Sequence, residues 1–335
     1  MNFTYGRSSF IRGTMLWLVA GTTLALAGNA LSKTEYPARP IRMIMPFAPG
    51  GAGDFVARAV QPRLTELLGQ QVIVDNRPGA AGNVGVEIAA LARPDGYTLL
   101  LGNVGAMAIN PSLYIKAAIN PIQHFAAISQ MVDVPGALVV HPSIEASTIS
   151  ELVALAKARP GTLNFGSPGG GSANRLEMEL FMMQTGIKFV HIPYKGGAGP
   201  AVVGLLSNEV QTMFVTFSSA LGHVRNNRLR MLGVVAPERV TALPHVATMK
   251  EQGYHNFASG SWQGLYAPKG TPNAALERLF KAVQDTIQTP VVRERLAQAG
   301  VEVVVSGSPA LFQQFWLSEY RRFAKIIKDA GIESE

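Results

Sequence analysis

Three times along this chain a short apolar run empties into a loop of Gly, Pro and Ser, and a helical pattern begins within a few residues. The loops are Pro49 to Asp54 (PGGAGD), Gly166 to Asn174 (GSPGGGSAN) and Lys195 to Pro200 (KGGAGP). In the first, Ile41, Met43, Ile44 and Met45 form a strand-length run that stops at Pro46. After the loop, Val56, Val60, Leu64 and Leu67 are spaced four, four and three apart, the period of a helix with one buried face. Gly50, Gly51 and Gly53 allow a ligand close to the backbone, and the free N–H groups and positive dipole end of a helix start favour an anion there. In an open α/β sheet such loops lie beyond the carboxyl ends of the strands, where ligands bind.

The same reading extends over the whole chain. Strands are expected at 41–47, 72–75, 97–102 and 126–132, with helices at 54–68, 82–92 and 109–115. Pro62 should kink the first helix or end its regular hydrogen bonding. The apolar run Ala137 to Val140 opens a second alternating set: helix 148–158, strand 162–166, helix 173–185, strand 188–194, helix 198–206, strand 209–215, helix 218–225 and strand 229–235. Alternation of this kind predicts two α/β units, each with a parallel sheet covered by helices on both faces. Beyond residue 257 the pattern gives a strand from Trp262 to Ala267, a helix from Pro272 to Ile287 and a short helix from Pro290 to Gln298. A long final helix has Ser308 as N-cap, Pro309 at its first position, and Gly331 to end it. Phe312, Trp316, Tyr320, Phe323 and Ile327 lie on one face of that helix.

The first thirty residues differ from the rest. Arg7 and Arg12 precede the apolar run Met15 to Leu26, and Ala25, Ala27, Gly28 and Ala30 follow. These are the parts of a secretory signal peptide, 1–30, with cleavage after Ala27 or after Ala30. No Cys lies near the junction, so a lipid-anchored mature form is not expected. The chain has no Cys at all, so in an oxidising compartment the fold depends on core burial. Removing Arg7 and Arg12 leaves 27 basic against 22 acidic residues. The basic residues are dispersed, which argues against nucleic acid and is compatible with collecting small anions.

Familiar catalytic and cofactor motifs are missing. Val56 stands where a dinucleotide fingerprint needs its third Gly, and no Gly-Lys-Ser/Thr occurs for a phosphate loop. The His residues at 124, 141, 191, 223, 245 and 255 include no pair at ligand spacing, so no metal is expected. No Ser sits in a Gly-x-Ser-x-Gly elbow, no catalytic residue is named, and no cofactor is expected. Asp54, at a helix start, suits capping. Lys195 suits a solvated loop position.

The segments YPARPIRMIMPFAPGGAGDFVAR, VDNRPGAAGNVG, PDGYTLLLG, INPSLY, VHIPYKGGAGPA and LYAPKGTP, in that order, resemble the motif series of the Bug family. These are the extracytoplasmic substrate-binding proteins of tripartite tricarboxylate transporters. The resemblance runs from about Tyr36 to Ile332. It implies an α/β Venus flytrap of type II-like form, with chain crossings near 133–137 and 258–262. The first lobe would hold 36–135 with 260–335, and the second 136–259. It also implies a periplasmic receptor, expected as a monomer, that binds a small organic acid in the cleft and hands it to membrane permease subunits. The ligand-binding positions it implies are Phe47, Ala52, Gly53, Asp54 and Asn103 in the first lobe, and Ser167, Gly171, Ser172, Ala173, Asn174 and Thr216 in the second. Two departures bear on the ligand. Val215 and Thr216 stand where family sequences often have Asp and Asn, which removes an acid that would neutralise a ligand amine. Arg175 stands where His is frequent, and adds a cation close to the cleft. A carboxylate ligand without a cationic amine is therefore expected. The alternatives are a receptor read by a membrane signalling protein and, less in keeping with the missing motifs, a periplasmic enzyme on the same fold.

Overall fold

Each strand whose carboxyl end reaches the cleft leaves its sheet there, and each strand arriving from the other lobe must enter there, pointing the opposite way. That constraint explains the sheet topology of the computed structural model, which describes residues 36–114, 117–169, 171–236, 238–255, 257 and 260–329. The first sheet has the order β11-β4-β10-β3-β1-β2. Its strands are β1 (Ile41–Met45), β2 (Val72–Asn76), β3 (Thr98–Asn103), β4 (Phe125–Asp133), β10 (Gln263–Pro268) and β11 (Glu302–Val303). The second sheet has the order β7-β6-β8-β5-β9. It is built from β5 (Gly136–Val140), β6 (Asn164–Ser167), β7 (Val190–Pro193), β8 (Thr212–Thr216) and β9 (Arg230–Val235).

The expected all-parallel sheets are therefore mixed. β10 runs antiparallel between β3 and β4, and β5 antiparallel between β8 and β9. These are the two strands that follow a crossing. The chain passes between the sheets after β4 and again between β9 and β10.

Helices cover both faces of each sheet. On the first sheet, Met43, Met45, Val56, Val60 and Leu279 pack in one core, and Ile44, Leu100, Tyr266, Phe312 and Trp316 in the other. Alternation along β5 does the same in the second lobe. Leu138 and Val140 face one core while Ala137 and Val139 face the other, as the two-residue period of a strand requires. The final helix, α11 (Pro309–Asp329), is started by Ser308, whose Oγ accepts from Leu311 N at 3.1 Å. Trp316 on this helix is fully buried and donates from Nε1 to the Met107 carbonyl at 2.8 Å.

The first helix, α1 (Ala52–Leu68), starts two residues earlier than its periodicity suggested and runs through Pro62 without ending. Pro62 is exposed, so the carbonyl freed by its missing N–H faces solvent. The helix expected at 109–115 is a π-helical turn, Gly105–Ile109, continued by α3 (Asn110–Leu113). No described helix is long and apolar enough to cross a membrane. The expected signal peptide and Gly331 lie outside the described residues.

Candidate functional site

Four strand termini meet at the cleft. β3 ends at Asn103, which pairs with Gln263, the first residue of β10. β8 ends at Thr216, which pairs with Gly136, the first residue of β5. Between the two lobes these edges border a cavity of about 50 Å³.

The structure brings together all but one of the positions named from the sequence. Phe47, Ala52, Gly53, Asp54 and Asn103 line the first-lobe wall, and Gly171, Ser172, Ala173, Asn174 and Thr216 the wall opposite. Ser167 is the exception. It is fully buried behind the second wall, where its Oγ lies 2.7 Å from His191 Nε2 and accepts from Gly169 N at 3.2 Å. His191 stacks on Phe165 at 4.7 Å, so Ser167 braces the loop rather than reaching the cavity. Ala81, Val104, Gly105, Pro168, Ala198, Ser261 and Gln263 also line the cavity and were not named from the sequence. For Ser261 and Gln263 the signal was present, because a chain crossing near 258–262 has to place its residues at the cleft.

The polar character of the cavity comes from helix starts. α1 is capped by Gly51 without any side-chain bond, so the N–H groups of Ala52 and Gly53 have no intrahelical acceptor. From the other lobe comes α6 (Ala173–Thr185), whose N-cap Ser172 accepts from Arg175 N at 3.2 Å. The first-turn N–H groups of Ala173 and Asn174 remain. Thr216, N-cap of α8 (Phe217–Arg225), has its Oγ1 2.8 Å from Ser219 Oγ. The starts of α1 and α6 thus bring two positive dipole ends to one small space, with the α8 cap Thr216 beside them.

The charged groups nearby are already engaged. Asp54 is not the N-cap; it sits in the first turn of α1, 8% exposed. Its carboxylate accepts from Gly50 N at 3.3 Å, from Asn76 Nδ2 at 3.1 Å and from Arg58 Nε at 3.0 Å. The acid is spent on tying the glycine loop to α1 and β2. Among the described lining residues none is Lys, Arg or His. Arg175 is outside the lining, with Nε 3.6 Å from Glu179 on the next turn. Lys195 is exposed. Val215 faces away from the cavity into the core with Ala137, Val139 and Met213, and only Thr216 of that pair reaches the ligand space. Beneath Asn174 lies Glu177, which shares a hydrogen bond with it. Burial pushes the Glu177 carboxyl up to about 8, which favours its protonated, neutral form.

The third glycine loop does something else. Ala48 N donates to Gly196 O across the cleft mouth at 2.7 Å. A Cβ at Gly199 would stand 2.5 Å from the Pro49 carbonyl oxygen, and one at Gly197 2.9 Å from Phe47. The loop of one lobe therefore rests directly on the loop of the other, and of its residues only Ala198 lines the cavity. Ala173 and Leu176, from the second lobe, are buried among first-lobe Val104, Ala106 and Trp262. The lobes are closed on one another.

Comparison with known proteins agrees with this geometry. Residues 56–332 match the family described as the tripartite tricarboxylate transporter family receptor. BugT of Bordetella pertussis is 37% identical over 321 residues, which is 95% of this chain and 98% of BugT. The structure of R. palustris Rpa4515 with adipate has a TM-score of 0.86 and 30% identity, covering 89% of this chain and 99% of that one. MatC from Rhodopseudomonas palustris with bound malate has a TM-score of 0.82 and 28% identity, covering 87% and 100%. Matched by the family over most of its length and by BugT nearly end to end, the chain belongs to the tripartite tricarboxylate transporter receptors, the Bug family of substrate-binding proteins.

Proposed function

We propose that this protein is a periplasmic receptor that captures one small, amine-free carboxylic acid between its lobes and delivers it to the permease of a tripartite transporter. The observation that carries this reading is the convergence of helix starts from opposite lobes on a cavity with no basic side chain among its described lining. Backbone N–H groups and dipoles bind a carboxylate without a counter-ion. A ligand ammonium would lose its water there and find the nearby carboxylate, Asp54, already satisfied, which is costly. The adipate and malate held by the two solved relatives are acids of this kind.

In this reading Phe47, Ala52, Gly53, Asn103, Gly171, Ser172, Ala173, Asn174 and Thr216 surround the ligand. Ser167 and Asp54 hold the two binding loops in shape. Residues 36–135 with 260–335 move as one body against 136–259, the ligand bridges them on closure, and the permease reads the closed monomer. The leader directs export and is removed.

A thermal-shift screen tests the proposal. An acid at a hundredfold excess over its dissociation constant should add about 2.7 kcal/mol of stability. Di- or tricarboxylates should stabilise the protein and amino acids should not. Stabilisation by aspartate or glutamate beyond every amine-free acid would refute it.

A further inference from the structure

One buried acid behind the cavity has no part in the binding chemistry above. Glu177 is 4% exposed and follows Asn174 by three residues on α6. Residues three apart share a helix face, and Glu177 shares a hydrogen bond with Asn174, which lines the cavity. On its other side, Glu177 Oε1 lies 3.2 Å from where a Cβ on Gly136 would stand. Gly136 opens β5 after the chain crosses into this lobe, and it pairs with the lining residue Thr216. The acid thus fills the space between the start of α6 and the entry strand of its lobe. The charged groups around it are engaged elsewhere. Arg175 is 3.6 Å from Glu179 on the same helix, and Arg230 of β9 donates to the Ile144 and Ala146 carbonyls. His191 of β7 is held on Ser167 Oγ, Tyr254 packs its ring on Phe181, and Glu319 accepts from Trp262 Nε1. Asp133 ends β4 three residues before Gly136, and burial holds it up to about 6. β5, β6 and β8 carry no titratable side chain.

A neutral carboxyl in this place is compatible with an anion in front of it. An ionised one is not. It would set a negative charge behind Asn174, on the helix whose positive end faces the cavity, and offset that end. Like charges repel strongly where water is excluded, and no Lys, Arg or His among the described lining residues would compensate. We propose that Glu177 is a proton-linked positioning residue, bracing Asn174 as a neutral acid while a carboxylate is bound and weakening the hold on that carboxylate when it ionises. This rests on the receptor reading above and adds a control on the same site. By reciprocity, a bound acid makes Glu177 hold its proton more tightly. Affinity is therefore full at neutral and lower pH and falls as pH rises past the point where the empty receptor loses that proton.

The test titrates malate, succinate or adipate, whichever binds most tightly, from pH 7 to 10, where simple carboxylates stay ionised. Calorimetry is run on the wild type and on Glu177→Gln, which keeps a carbonyl for Asn174 and cannot ionise. Wild-type affinity should fall by at least about tenfold between pH 8 and 10, and Glu177→Gln should stay nearly level. At pH 9, titrations in two buffers of different ionisation enthalpy should show the wild type taking up a proton as the acid binds. Absence of that uptake overturns the inference whether or not the variant folds. Parallel affinity curves for the two proteins overturn it as well, since the decline would then belong to another group. Failure of every acid to bind at any pH is a different result, which removes the receptor reading and this inference with it.

Discussion

Replacing Gly199 with Ala separates lobe closure from folding. Gly199 is the second residue of α7 (Ala198–Leu206), and its φ is not in the left-handed region. Within its own helix an Ala is therefore as good as Gly or better, by up to about 1 kcal/mol. The obstacle is in the other lobe. The new Cβ would stand 2.5 Å from the backbone oxygen of Pro49, where real Cβ atoms essentially never come under 3.0 Å. Because the neighbour is backbone, it cannot swing aside. The loops must part by at least about half an ångström, which strains the 2.7 Å bond from Ala48 N to Gly196 O.

Overpacking of this kind costs about 1–3 kcal/mol, and here the cost falls on the closed form alone. An acid that binds by closing the lobes should bind roughly 5- to 150-fold more weakly. The melting temperature without ligand should be unchanged or slightly higher. Gly222→Ala is the control, since a Cβ there meets nothing within 4 Å. Calorimetric titration of the same acid into the three proteins gives the answer. Wild-type affinity in Gly199→Ala would refute the idea that these loops must meet for the ligand to be held.

Other outcomes follow from the same structure. For Glu177 burial holds the folded-state value at about 8, above the ordinary carboxylate value of 4.5, so the folded form holds its proton more tightly. Stability from this group is full below about pH 4.5 and falls as pH rises toward 8, by about 1.4 kcal/mol per unit for one proton. Urea unfolding at about pH 5, 7 and 9 should show Glu177→Gln lacking that decline, and parallel curves would contradict the burial argument. Trp316→Phe should keep most of the core contact but leave the Met107 carbonyl without the donor it has at 2.8 Å. The loss should be about 1–3 kcal/mol in denaturant titration, and no loss would mean that carbonyl finds another donor. Periplasmic protein should begin between Gly28 and Lys33 by N-terminal sequencing, and material still starting at Met1 would reject the leader.

Much of the architecture was legible because local period survives in the sequence. The glycine loops at 49–54 and 166–174 and the helices after them were placed by apolar spacing alone, and they build the walls of the cavity. Strand direction was not legible. A run such as Trp262 to Ala267 has the same composition whichever way it enters a sheet, so the antiparallel seat of β10, and with it the Gln263–Asn103 pair, needed three dimensions. Facing was lost for the same kind of reason. Val215 and Thr216 are neighbours on β8, but adjacent strand residues point to opposite faces, so only one of them can meet a ligand. The loop at 195–200 looked like the other two because close approach of backbone to backbone demands the same glycines as close approach to a ligand.

The most direct test is native mass spectrometry of the protein purified gently from periplasm, with the released small molecule identified and titrated back. The account predicts one molecule per chain of an amine-free organic acid, which rebinds to the emptied protein and stabilises it. An amino acid or another cationic molecule recovered in that place, and rebinding more tightly than any amine-free acid, would contradict it.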